Sequence, residues 1–324
     1  MNKIKFLITG AAGFLGVNLI YKLQNRKNIQ IIAVVHSDKE LDLWRFKDIS
    51  NQVKVVKVDL TNSEQVEVLI KSFEPDYILH LATRGIYARQ WKDPIGVLTN
   101  NYSMSVNLLE TAKNYNKFIK GFLSIGSLFE YGNKKGMMDE TEEMDTDLSN
   151  LYAVSKRATV ILADAYKKYF PIITLRLSTI YGPYNDPSKF IEGVILGLLQ
   201  RRPVRIAKGV VKDFLYVDDA TEALIEGVLK VKEMNGEIIN IGSGVGYDLE
   251  TVSKLIKNKI TYSNLDNLIQ VDEKFQRLSE SMSWANIEKA SHLLNWKPKY
   301  SLDDGLDLTI QWYKRNLKLF YYYD

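Results

Sequence analysis

Tyr152 and Lys156 stand four residues apart at the start of a predicted helix, so one helical face carries both a phenol and an ammonium. A free tyrosine loses its proton near pH ~10, too high for efficient acid or base work near neutrality. A unit positive charge ~4 Å away, at an effective dielectric of ~20, is worth about 4 kcal/mol, roughly a thousandfold bias toward the phenolate. Desolvation opposes part of it. Tyr-x-x-x-Lys also arises as an exposed helical pair, and the third member argues against that reading. Ser127 follows a predicted strand in Ser124-Ile125-Gly126-Ser127, where its hydroxyl would fix a reacting oxygen against the tyrosine. Ser124 is a second hydroxyl close by, but the register from Tyr131-Gly132 favours Ser127.

Gly10-Ala11-Ala12-Gly13-Phe14-Leu15-Gly16 follows another predicted strand directly and opens a helix, the context in which a glycine turn cradles phosphate. Gly10 permits the tight turn, Gly13 lets the backbone approach a pyrophosphate, and Gly16 lets the helix pack closely, while the helix start at Phe14 and Leu15 supplies free N–H donors. With two residues between the first pair of glycines, the segment resembles the short-chain dehydrogenase/reductase superfamily. That resemblance implies a bound dinucleotide. Asp59 and Leu60 would meet its adenine, Leu81, Ala82 and Thr83 would line the nicotinamide side, and Asn101 would support the central helix and strands. Ser127, Tyr152 and Lys156 would be catalytic, the last two also touching the cofactor. An aspartate at a strand end is equally a simple turn former.

The form of the dinucleotide is decided at the end of the second strand, where an acidic residue binds the ribose 2′-OH and selects NAD. The sequence there is Val35-His36-Ser37-Asp38-Lys39, with Asp38 two residues past the strand end. His36, Ser37 and Lys39, with Arg45 farther along, suit a 2′-phosphate instead. The expectation is NADP(H), with NAD(H) as the alternative.

The second half carries four stretches that resemble the extended, sugar-nucleotide-modifying branch: the segment from Arg176 to Pro183, the segment from Lys212 to Asp219, Asn240-Ile241-Gly242-Ser243-Gly244, and Trp296-Lys297-Pro298. The resemblance implies a nucleoside-diphosphate sugar as substrate. Arg277 is the leading candidate for a diphosphate contact, because its fork matches phosphate oxygens, and a surface role is its alternative. Arg84, Thr179, Lys189 and Lys212 are further substrate-side candidates. Sugar 4,6-dehydratases of this branch place Asp-Glu after the catalytic hydroxyl, whereas this chain has Leu128-Phe129, which argues against dehydration. The expected activity is therefore reduction of a 4-keto sugar nucleotide by NADPH. The alternative is NAD-dependent 4-epimerisation, and the remote alternative is a non-enzymatic dinucleotide sensor.

To bring these residues together the chain needs repeated βαβ units. Short apolar runs alternate with amphipathic stretches up to about Arg176: strands at Ile4 to Thr9, Ile31 to Val35, Val53 to Val58, Tyr77 to Ala82, Lys120 to Ile125 and Ile172 to Leu177, with helices between them. The fold class is α/β, a Rossmann-type doubly wound parallel sheet with a smaller, interleaved C-terminal substrate-binding domain. Residues 1–176 and a returning segment of about 213–235 are assigned to the first domain, and about 177–212 and 236–324 to the second. At 324 residues such a core is affordable without staples.

Composition excludes other chemistries. There is no cysteine, and the three histidines, His36, His80 and His292, lack metal-ligand spacing, so no metal site is expected. The net charge of +4 is scattered, without the basic stripes of nucleic-acid binders. The apolar start is broken by Gly10, Gly13 and Gly16, unlike a signal peptide, and no run approaches the ~20 apolar residues of a membrane span. A cytoplasmic location and a homodimer joined through the helices near Asn101 and Tyr152 are the corresponding expectations.

Overall fold

The computed structural model describes residues 3–37, 44–50, 53–84, 94–260, 265, 267–272 and 282–320. Strands β1 (Ile4–Thr9), β2 (Ile29–Val35), β3 (Val53–Lys57), β4 (Tyr77–His80) and β5 (Gly121–Ser127) form most of a seven-stranded sheet. A short β6 (Gly136–Met138) lies outside it, and β7 (Ile172–Leu177) rejoins it. The order is β11-β7-β5-β4-β1-β2-β3, where β11 is Ile238–Ile241, and every pairing is parallel. All residues of β5 and β7 are buried, as expected of strands covered on both faces. At the β3 edge the pattern changes, and Lys54 and Lys57 stay exposed, which discourages pairing with another chain.

Two apolar layers sandwich this sheet. One joins Ile8, Ile31 and Leu123 to Val17 and Ile20 of the helix Phe14–Leu23 and to Leu224 and Val228 of the helix Val217–Leu229. The other joins Leu7, Ile32 and Phe122 to the helices Ser63–Phe73, Pro94–Asn114 and Leu151–Tyr166. Pro94 opens its helix, where its missing N–H costs nothing.

The second half builds its own core around Tyr181, Ile195 and Leu306. Its main sheet has the order β12-β10-β14-β6, with β12 at Gly246–Asp248, β10 at Val211–Tyr216 and β14 at Met282–Ala285; β8 (Thr179–Tyr181) also pairs with β10. The helix Val217–Leu229 returns to the first layer, but the division is finer than the sequence boundaries. Ile238–Ile241 extends the first sheet beside β7, and Asp213–Tyr216 belongs to the second sheet.

The distant stretches of the second half meet at two carboxylates. Asp213 accepts the N–H groups of Ser243, Gly244 and Ala285 at 2.7, 3.2 and 3.1 Å. Asp219 accepts those of Lys299 and Tyr300 at 3.0 Å each, and Trp296 donates its indole N–H to the Asp219 carbonyl. These landmarks thus tie the interleaved halves together by satisfying buried backbone donors.

Candidate active site

The strand order reverses between β1 and β4, and a crevice opens at the carboxyl ends of these strands, where such sheets bind ligands. A cavity of about 1050 Å³ occupies it and runs from the glycine turn to the second half. Gly10 has φ +64°, and a Cβ there would come within 2.8 Å of the Ala82 backbone. A Cβ on Gly16 would overlap the carbonyl of Gly10 and the backbone of Ala11, so this glycine lets the helix close on the turn itself. Gly13, Phe14 and Leu15 complete the wall at the helix N-terminus.

Along the same wall lie His36, Ser37, Asp59, Leu60, Leu81, Ala82 and Thr83. Asp59 is also the turn former of its alternative reading: its Oδ1 accepts the Thr61 N–H at 2.9 Å and the Thr61 hydroxyl at 2.7 Å. These bonds, together with the nearby His36, hold its carboxyl below the usual range. Lys39 and Arg277 lie outside the described residues.

Asn101, expected to support the central helix and strands, does not line the cavity. It is buried behind the wall, and its neighbour Asn100 lines the cavity instead. Its amide accepts from the Arg84 N–H at 2.8 Å and donates to the Arg84 carbonyl and the Ser155 hydroxyl, both at 3.0 Å. Ser155 donates onward to the Tyr152 carbonyl. Asn101 therefore supports the catalytic helix and the segment after β4.

Asn150 caps the helix Leu151–Tyr166 by accepting the Ala153 N–H, which puts Tyr152 and Lys156 in its first turns. Ser127 is the last residue of β5, 6% exposed, and its hydroxyl oxygen accepts the Phe129 N–H at 3.2 Å. Lys156 donates to the Ile125 carbonyl at 3.1 Å, with Nζ 5.8 Å from the centre of the Tyr152 ring. All three line the cavity, whereas Ser124 does not. Burial pushes the Lys156 ammonium down to about 8, with Glu130 opposing. Tyr152 shifts opposite to the expectation: burial, then the Glu130 charge, raise its pKa, while Ser127 lowers it.

On the substrate side Arg84, Thr179, Lys189 and Lys212 all line the cavity. Lys212 is pushed down to about 8 by burial and sits 5.0 Å from the Phe129 ring. Residues not anticipated also face it, including Phe129, Ser178, Asn185 and Asp186. Thr83 and Ser178 have buried hydroxyl oxygens without a hydrogen-bond partner, and both are on the cavity wall. Unpaired buried hydroxyls are costly, so a polar ligand in this cavity that pairs with them fits the site. Together with the glycine cradle they suit a dinucleotide.

The family model for the NAD dependent epimerase/dehydratase family matches residues 6–242. A UDP-glucuronate 4-epimerase of Thermodesulfobacterium geofontis is 27% identical, with 97% of each chain covered. The solved UDP-glucuronic acid 4-epimerase from Bacillus cereus, in complex with UDP-glucuronic acid and NAD, superimposes with a TM-score of 0.86 at 26% identity over 97% of this chain and all of that one. A dTDP-glucose 4,6-dehydratase from Bacillus anthracis in complex with NAD gives a TM-score of 0.86 at 27% identity, covering 97% and 98%. The match runs through both the dinucleotide turn and the Ser127, Tyr152 and Lys156 cluster, and on it the chain belongs to the NAD dependent epimerase/dehydratase family.

Proposed function

We propose that the chain is an NAD-dependent 4-epimerase of a nucleoside-diphosphate sugar, with a UDP-uronic acid as the leading substrate class. The observation that carries this reading is the apolar pair Leu128 and Phe129 on the cavity wall directly after Ser127. Epimerisation needs one group that takes and returns a proton, whereas loss of water needs a further acid and base. Family membership does not separate the two, because the similar proteins include both epimerases and dehydratases. Those similar structures carry NAD, so the first expectation of an NADPH-dependent ketoreductase gives way to its alternative.

Bound NAD supplies a hydride acceptor that becomes a hydride donor. Ser127 orients the C4 oxygen toward Tyr152. Tyr152 accepts the hydroxyl proton as the C4 ketone forms and returns it when the opposite face is reduced. Lys156 stabilises the phenolate that stands before the first transfer and is restored after the second. Lys189 and Lys212 contribute positive charge for the diphosphate, and Thr179 faces the sugar.

The test is incubation of purified protein with UDP-glucuronate and other UDP-sugars without added reductant, following C4 stereochemistry by NMR and the NAD extracted per chain. Inversion at C4 with NAD retained supports the reading. Consumption of added NADPH with a reduced sugar as product overturns it in favour of ketoreduction.

We further propose a homodimer. Ile95, Tyr102 and Ile161, on the packed helices Pro94–Asn114 and Leu151–Tyr166, are 72%, 47% and 62% exposed. A monomer in analytical ultracentrifugation overturns this. No helix among the described residues is long and apolar enough to cross a membrane.

A further inference from the structure

Glu130 is fully buried behind the catalytic cluster, and the mechanism above does not use it. It sits in the 3₁₀ turn Leu128–Tyr131, which Ser127 caps. Its Oε1 accepts the Ser127 backbone N–H at 2.6 Å, and its Oε2 accepts from Arg176 Nε at 3.1 Å. Arg176, itself 5% exposed, donates to the Tyr131 hydroxyl, which donates to Asn240 Oδ1. Gly126 leaves the room this requires: a Cβ there would lie 2.6 Å from Glu130 Oε1 and 2.8 Å from Arg176 Cγ.

A buried ion pair is seldom worth more than well-packed apolar side chains, because desolvation consumes the attraction. Its position against the catalytic cluster points to a role beyond stability. We propose that Glu130 is a positioning residue of the catalytic trio: it fixes Ser127 through the backbone N–H and places a negative charge behind Lys156 and Tyr152. The inference rests on the assignment of those three residues, and holds whichever sugar is turned over.

The electrostatics agree in sign. The Glu130 charge opposes the loss of the Lys156 proton that burial promotes, and it also raises Tyr152. The other ionisable groups around the pair are His80 from β4, Arg84 after it, Tyr131 and Arg176 behind Glu130, and Lys212 over Phe129. His80 is held neutral by burial and by Lys156, down to about 3, so it adds no charge near neutrality.

Two readouts test the proposal on the full chain. Protein labelled with ¹³C at the lysine ε-carbons is titrated by NMR, with the Lys156 signal identified by its loss in Lys156→Met. Glu130→Gln keeps an acceptor oxygen and removes the charge, and is expected to lower the proton affinity of Lys156 at least tenfold. Glu130→Asp keeps the charge, and its midpoint stays within threefold of wild type. Should Glu130→Gln not fold, Glu130→Gln/Arg176→Met removes both buried charges together, and the same tenfold fall is expected because Glu130 is the charge acting on Lys156. A shift below threefold in the charge-removing variants overturns the proposal. The titration needs no substrate, so it still reads if the epimerase assignment fails. Where turnover is measurable, Glu130→Leu is expected to lower kcat at least tenfold below Glu130→Gln, each at its own optimum pH. Equal kcat in the two overturns the Ser127 part.

Discussion

Phe129 and Tyr152 meet edge to face, with centroids 6.2 Å apart and planes at 82°, while the Lys212 ammonium lies 5.0 Å from the centre of the Phe129 ring. The aromatic residue thus touches both a cation and the proton-transferring phenol. Edge-to-face pairs contribute about 0.5–1.5 kcal/mol beyond their buried area. Phe129→Leu keeps the site apolar and removes the ring contact, so kcat for C4 inversion is expected to fall about two- to tenfold with little change in bound NAD. Unchanged kcat in steady-state assays would sink the idea that the ring orients Tyr152.

Tyr152→Phe removes the group assigned to proton transfer and leaves the ring contact with Phe129 in place. Turnover should drop by about 10²–10⁴, the usual contribution of a positioned acid or base. Extracted NAD per chain should stay at the wild-type level, because the phosphate cradle is elsewhere. Ser127→Ala should cost about 10²–10³ in kcat through loss of a donor to the reacting oxygen. Wild-type turnover in Tyr152→Phe would remove the phenol from the mechanism.

Much of this site is legible in the chain because its chemistry is local. The glycine turn and the Tyr152 and Lys156 pair are set by spacing along one strand-to-helix junction and one helix, and Asn150 supplies a visible cap. What escaped was tertiary. Nothing in the order of residues says that the Asn101 amide joins Arg84 to Ser155 in particular, or that β11 crosses back to pair with β7. The burial that raises Tyr152 is likewise a property of the assembled site, and a pairwise charge argument misses it. Glu130 is legible as well, because Ser127-x-x-Glu130 is the spacing of a capping box.

Gly10→Ala tests the cradle. The native φ of +64° is unfavourable for alanine, and its methyl would press on the Ala82 backbone at 2.8 Å. A backbone residue forced into that region costs about 1–3 kcal/mol before any displacement of the strand end. The variant is expected to lose most of its bound NAD and to melt lower than wild type by several degrees. Full NAD content in the purified variant would contradict a pyrophosphate site at this turn.

Glu192 ties stability to pH. It is 1% exposed in the helix Phe190–Leu199, and its Oε1 accepts the Gly182 N–H at 3.1 Å and the Asn185 amide at 2.9 Å. Burial pushes its carboxyl from 4.5 up to about 7, against the pull of those hydrogen bonds and of Lys189. Between these values the folded state keeps a proton that the unfolded chain has released. Its contribution to stability is therefore full below pH 4.5, declines from pH 4.5 to 7, and is flat above. At about 1.4 kcal/mol per pH unit the loss approaches ~3 kcal/mol. Glu192→Gln removes the titration, so its urea midpoint should change less between pH 5 and 8 than that of wild type, with the variant the more stable at pH 8. Parallel pH dependence of the two midpoints would mean that Glu192 is ionised across the range, and that Gly182 and Asn185 are held by a carboxylate.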